Sequence, residues 1–187
     1  MTITPENPIG LDGFEFVEFT SPDPEAMKAL IEQLGFVATH RHPTKDILRY
    51  KQGRTNLLVN GEPTGQAADF RAAHGPSASG MAFRVADAVQ AYELALSRGA
   101  QAVDASVGAL DADAKVLQGI GGSYLYLIDQ YGPKGSLYDG WTEIEGWQDA
   151  EAANAVGLEI LDHLTHNVKR GEMRTWSGFY GSVFNFE

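Results

Sequence analysis

The chain has 187 residues, 43 % hydrophobic and 21 % charged, which is enough for one well-buried domain, or for one domain plus the start of another. Its formal net charge of -11 repels phosphate backbones and anionic lipid surfaces and so argues against nucleic-acid and membrane partners. No cysteine is present, which excludes disulfides, thiolate metal sites and cysteine nucleophiles, so any metal falls to imidazole and carboxylate.

The first ten residues have neither a basic start nor an apolar run, and no stretch approaches membrane-spanning length, so a cytoplasmic protein is expected. Residues 14 to 19, Phe-Glu-Phe-Val-Glu-Phe, come close to alternating apolar with acidic, the period of a strand with one buried face. Asp23 and Pro24 then suit the cap and first position of a helix that carries Met27, Leu30, Ile31 and Leu34 on one face and ends at Gly35. Strand-like pieces at 36–41, 47–51 and 56–59, broken by His42-Pro43 and Gly53, complete a βαβββ unit.

A second copy follows. Met81 to Val85 reads as a strand, Asp87 as a helix cap, and Val89, Tyr92 and Leu96 as a helical face ending at Arg98-Gly99. Strands are expected at 101–104, 115–118 and 124–128, the last carrying Tyr-Leu-Tyr-Leu-Ile. Residues 132–157 read as a connector. A third copy is expected to open at Gly157, because Gly157 to His163 aligns without gaps on Gly13 to Phe19. Met173, Trp176 and Tyr180 would form its helix, and Val183 to Phe186 would start its next strand. A third unit left incomplete at Glu187 suggests part of something longer, since an unfinished repeat cannot bury its own apolar face.

Five histidines are available to chemistry. His40 and His42 lie two apart on an expected strand and point the same way, but no carboxylate nearby supports a shared metal. His74, in His74-Gly75-Pro76-Ser77, reads as a turn residue. His163 and His166, three apart, would face opposite sides of a strand, and periodicity does not choose which looks inward. Gly119-Ile120-Gly121-Gly122-Ser123 precedes a strand, so it reads as a tight turn and not as a phosphate cradle. Nothing resembles a hydrolase elbow, a P-loop or a His-Glu-x-x-His zinc site.

The segments Asn7 to Phe19, His74-Gly75-Pro76-Ser77 with Met81 to Val85, Gly119 to Leu127, and Leu161-Asp162-His163-Leu164-Thr165-His166-Asn167-Val168 together resemble the amino-terminal half of bacterial 4-hydroxyphenylpyruvate dioxygenases, across all 187 residues. The resemblance implies an α+β vicinal oxygen chelate, or glyoxalase-like, fold in which paired βαβββ modules form open barrels. It divides the chain into a metal-free barrel over 1–150, serving support and subunit contacts, and a connector with the start of a catalytic iron-binding barrel over 151–187.

The activity implied is that of a non-haem Fe(II) dioxygenase that converts 4-hydroxyphenylpyruvate, an aromatic 2-keto acid, and O2 to homogentisate and CO2 in tyrosine catabolism, in a homo-oligomer. His163 would be the first iron ligand, His166 a neighbour pointing away, and Thr165 a residue lining the substrate cavity; the two later ligands, a histidine and a glutamate, would lie beyond Glu187, so the chain by itself is not expected to turn over. Hydroxymandelate synthase or another dioxygenase-like enzyme is the alternative within the class, and a non-catalytic binding or assembly module the alternative outside it.

Overall fold

A computed structural model describes residues 2–186. Its frame is one eight-stranded sheet that contains both expected modules. The first comprises β1 (Leu11–Thr20), α1 (Pro24–Gln33), β2 (Val37–Arg41), β3 (Ile47–Gln52) and β4 (Thr55–Asn60). The second comprises β5 (Ser77–Val85), α3 (Ala88–Ser97), β6 (Lys115–Gln118) and β7 (Tyr124–Ile128), and α2 (Gln66–His74) bridges the two modules. A two-residue strand, β8 (Thr142–Glu143), and the helices α4 (Trp147–Asn154) and α5 (Met173–Phe184) follow.

Strand order is β6-β7-β5-β1-β4-β3-β2-β8. β1 runs parallel to β4, and β5 runs parallel to β7, so each module returns its last strand beside its first. The modules join where β1 and β5 pair antiparallel, Val17 opposite Met81. This arrangement contains the two βαβββ units expected from the repeat, in the α+β, paired-module architecture that the family resemblance implies.

Capping chemistry sets the helix starts. The Asp23 side chain accepts from the Ala26 N–H at 3.0 Å with Pro24 in the first turn, and the Asp87 side chain accepts from the Gln90 N–H at 2.8 Å. Gly35 ends α1 at φ 85°, and a Cβ there would meet the Asn154 carbonyl oxygen at 2.6 Å, so both conformation and close approach require glycine.

Alternation sorts the sheet into two faces. Val17, Tyr50, Leu57 and Val59 pack with Ile31 of α1, while Met81, Phe83, Leu125 and Leu127 pack with α3 and with Val183 and Phe184 of α5. These are the outer, helix-covered faces. Phe16, Ile47, Leu58, Ala82, Tyr124, Tyr126 and Tyr138 form the inner cluster. Fully burying a side chain such as Phe16 stabilises the fold by about 2 kcal/mol.

Five expectations are corrected. Between residues 101 and 104 there is only an isolated bridge, Ala102 opposite Leu117, because the chain there follows the sheet edge too briefly for a ladder. The expected connector holds β8, which extends β2 at His40 and Arg41, and α4, held to β3 by Lys51 and Glu151 at 2.6 Å. His74 is the last residue of α2 and not a turn residue; Gly75 at φ 72° makes the turn.

Residues 157–163 form no strand. Leu158 is 45 % and Ile160 54 % exposed, and the segment is held by the Arg54 N–H donating to the Glu159 carbonyl at 2.8 Å and by the Gln52 side chain accepting from Val156 and Leu158 N–H groups. A strand needs a paired ladder for its backbone groups, and among the described residues this segment meets only the turn at Gly53-Arg54 and the Gln52 side chain. Val183 and Phe184 continue α5, whose apolar period extends that of Met173, Trp176 and Tyr180.

Candidate functional site

Two places carry polar side chains in numbers, the inner face of the barrel and the segment from Leu161 to Asn167. On the inner face, β1 brings in Glu15 and Glu18, both buried and Glu18 completely so. The near-alternation of apolar and acidic residues is therefore not a buried face against a wet one, because both faces of this sheet are covered. Asn60 Nδ2 donates to Glu18 Oε1 at 2.7 Å, and the Tyr126 hydroxyl donates to Oε2 at 3.2 Å while accepting from the Ala109 N–H at 2.8 Å. Gly80 leaves room for this carboxyl; a Cβ there would lie 2.8 Å from Glu18 Oε2. Burial pushes the Glu18 pKa up, against the pull of these donors and of Lys45.

Glu15 sits in a more cationic setting. Arg84 Nε donates to its Oε2 at 2.6 Å, Asn56 Nδ2 to its Oε1 at 3.1 Å, and Arg49 donates to Asn56 Oδ1 at 2.7 Å with its guanidinium 3.8 Å from the centre of the Tyr138 ring. Burial again raises the pKa, Arg84 opposing it. The inner face is thus filled by a polar network in which both carboxylates meet donors, while the buried Ser79 Oγ and Tyr138 hydroxyl have no hydrogen-bond partner among the described residues.

His40 and His42 are committed at Nδ1: His40 Nδ1 lies 3.2 Å from Arg49 Nη1, and His42 Nδ1 accepts from the Thr44 and Lys45 N–H groups at 3.2 and 3.1 Å. Burial lowers both pKa values. The turn at Gly119 to Ser123 is tight as expected, with Gly121 at φ 62° and Gly122 at φ 88°, and His74 Nε2 rests 3.1 Å from the Gly121 carbonyl oxygen.

In the second place, His163 is 79 % exposed, with Nδ1 2.9 Å from Asp162 Oδ2. A carboxylate on Nδ1 orients an imidazole with Nε2 outward, the arrangement that precedes metal ligation. Thr165, Leu164, His166 and Asn167 line a cleft of about 580 Å³ against Ser77, Met81 and Ser123 of the second module. The His166 ring lies 5.6 Å from that of Tyr180, and loss of hydration lowers its pKa. Thr165 and His166 therefore share a cleft, and His163 is not among the residues that line it.

Among the described residues no group of three or more His, Asp or Glu is placed to hold a metal ion. For the implied Fe(II), the fit is partial: His163 is a suitably oriented imidazole, but one ligand is not a site.

The paired-module sheet, covered by helices outside and filled inside, is a vicinal oxygen chelate fold. The family model for the N-terminal region of hydroxyphenylpyruvate dioxygenase (HPPD) matches residues 5–142, and the chain belongs to that family. It is 47 % identical over 182 residues to a 4-hydroxyphenylpyruvate dioxygenase of Pseudomonas sp. (strain P.J. 874), covering 97 % of this chain and 50 % of the relative. The chain thus spans about half the length of this curated relative.

Among solved structures, a xylose isomerase-like TIM barrel/4-hydroxyphenylpyruvate dioxygenase fusion protein superposes with a TM-score of 0.83 at 29 % identity, over 98 % of this chain and 29 % of that one. A mutant of 4-hydroxymandelate synthase from Streptomyces coelicolor shares the fold, with a TM-score of 0.70 at 22 % identity, over 94 % of this chain and 53 % of that one. No helix among the described residues is long and apolar enough to cross a membrane.

Proposed function

We propose that this chain is the amino-terminal half of a cytoplasmic, homo-oligomeric Fe(II) dioxygenase that converts 4-hydroxyphenylpyruvate and O2 to homogentisate and CO2. Residues 1–150 serve as a metal-free barrel, and residues 151–187 lead into the catalytic barrel. The carrying observation is the 47 % identity to the Pseudomonas dioxygenase over nearly the whole chain. His163 is the iron ligand these residues contribute, with Asp162 on its Nδ1 leaving Nε2 for the metal, and Thr165 borders the substrate.

The register of β1 supports this pairing of roles. Phe16 and Glu18 turn inward, whereas Phe19, the gapless counterpart of His163, packs on the outer side with α1. Sliding the repeat by three residues sets Asp162-His163-Leu164-Thr165 on Glu15-Phe16-Val17-Glu18. Once paired in a sheet, His163 and Thr165 then both face a barrel interior.

The test is iron content and product analysis of the polypeptide isolated from its own organism, beside its His163→Ala variant. The unaltered protein is expected to hold one Fe(II) and release homogentisate, and the variant to do neither. Equal iron in both would overturn the role of His163, and a hydroxymandelate product would replace the reaction.

A further inference from the structure

The end of β3 and the turn after it grip one later segment of the chain. Gln52 is completely buried, and both ends of its amide are engaged. Nε2 donates to the carbonyl of Leu34, the cap of α1, at 3.0 Å, and Oε1 accepts from the Val156 and Leu158 N–H groups at 2.7 and 3.2 Å. On either side of it, Glu151 accepts from Lys51 Nζ and from the Gly53 N–H, and the Arg54 N–H donates to the Glu159 carbonyl. A Cβ on Gly53 would lie 2.5 Å from the Leu158 carbonyl oxygen, so turn and segment approach more closely than a side chain permits. Burying an amide is costly unless its hydrogen bonds are met, and among the described residues the Gln52 oxygen is met by residues 156 and 158 alone.

The gripped segment leads to His163. From Glu159, the last residue bound by the turn, the imidazole-bearing residue is within about 14 Å of extended chain. Along that stretch Leu161 and Leu164 pack against the outer cluster of Val17, Tyr50 and Leu57, and Leu164 also reaches the outer cluster of the second module. Farther on, Arg98 Nη1 at the end of α3 donates to the Val183 carbonyl and to Asn185 Oδ1 at 3.0 and 2.9 Å. The exposed His163 is thus carried on a segment fastened to the barrel on both sides, by Gln52 to Arg54 before it and by Leu164 and Arg98 after it.

We infer that Gln52 is a positioning residue for His163: it holds residues 156–159 against the first module and so sets where the imidazole is presented. This role rests on the reading of His163 as a metal ligand given above. Through it the barrel takes part in the reaction by way of the chain that leaves it.

Two variants test the role. Gln52→Met keeps a side chain of similar length and removes the amide, and Glu151→Ala, on α4, loosens the same contact without touching the sheet. In the 187-residue chain, the Val156 and Leu158 amides should exchange with deuterium about tenfold faster in Gln52→Met, with β1 amides unchanged. In the polypeptide isolated from its own organism, both variants should bind Fe(II) about tenfold more weakly. At saturating Fe(II) they should lose about tenfold in kcat, with KM for 4-hydroxyphenylpyruvate unchanged.

Unchanged exchange at 156 and 158 would overturn the inference, and so would faster exchange with Fe(II) affinity and kcat both unaltered, which would leave Gln52 a structural residue only. Should Gln52→Met also lose the protection of β1, the same readings in Glu151→Ala decide. Iron that survives His163→Ala would instead remove the reading of His163 itself, and the role of Gln52 with it.

Discussion

The segments Gly13 to Phe19 and Gly157 to His163 carry nearly the same pattern of residues and take different structures. The first lies in β1 between β4 and β5, with partners on both sides. The second runs over the surface, touching the Gly53 turn, with Leu158 and Ile160 in solvent. Glu18, at the position that aligns with Asp162, is enclosed by Asn60 and Tyr126, whereas the Asp162 side chain, among the described residues, pairs with its neighbour His163 alone. A strand pattern therefore becomes a strand only where the rest of the chain supplies hydrogen-bonding neighbours and cover, and β-propensity by itself does not decide it.

That comparison can be broken most forcefully by matched truncations. Phe16→Ala empties a fully buried position of the inner cluster and is expected to lower unfolding free energy by about 4 kcal/mol in urea titration. A loss as small as that of a surface residue would mean the inner face is loosely packed.

Next in size is the tether between the two regions. Glu151 accepts from Lys51 at 2.6 Å and from the Gly53 N–H at 2.9 Å, and its side chain is largely shielded. Glu151→Ala should cost about 1.5 kcal/mol and loosen α4 from β3. Unaltered stability, with α4 amides no faster to exchange, would show that the pairing is idle.

The polar interior supplies a pH test. Burial raises the Glu18 pKa above its ordinary 4.5, so the folded state holds the proton more tightly than the unfolded chain does. Stability connected with this group is fully present below the unfolded value and is lost as pH rises through the folded one. Glu18→Gln keeps an acceptor for Asn60 and cannot ionise, so its advantage over the unaltered chain in urea midpoint should be larger at pH 8 than at pH 4. An equal difference at the two pH values would mean that Glu18 ionises without cost.

Least affected should be the exposed copy. Ile160→Ala, at a position 54 % exposed, should change stability by less than about 0.5 kcal/mol. A loss like that of Phe16→Ala would mean that residues 157–163 are packed in solution as β1 is.

Much of this fold was legible in the residues. Asp23-Pro24 and Asp87 mark helix starts because capping is local, and the inner and outer faces of the sheet follow from alternation once both faces are known to be covered. α2 was missed because Gln66 to His74 has little apolar periodicity and begins at a glycine with no side-chain cap. The burial of Glu15 and Glu18 was hidden for another reason: their partners Arg84, Asn60 and Tyr126 lie far along the chain and meet them only through strand order.

The candidate site was legible unequally. His163 and Thr165 stood out by resemblance to a family motif, and the structure adds the Asp162 contact that orients the imidazole. His40 and His42, weighed from sequence as a metal pair that no carboxylate supports, have their Nδ1 atoms engaged by Arg49 and by the Thr44 and Lys45 N–H groups, contacts that no spacing reveals.

Anaerobic Fe(II) titration of the 187-residue chain, with and without His163→Ala, tests most directly the claim that these residues form a metal-free barrel plus one iron ligand. No stoichiometric binding is predicted for either form, since a single imidazole does not hold the ion. Tight one-to-one binding that survives His163→Ala would contradict the account and place a complete metal site inside this chain.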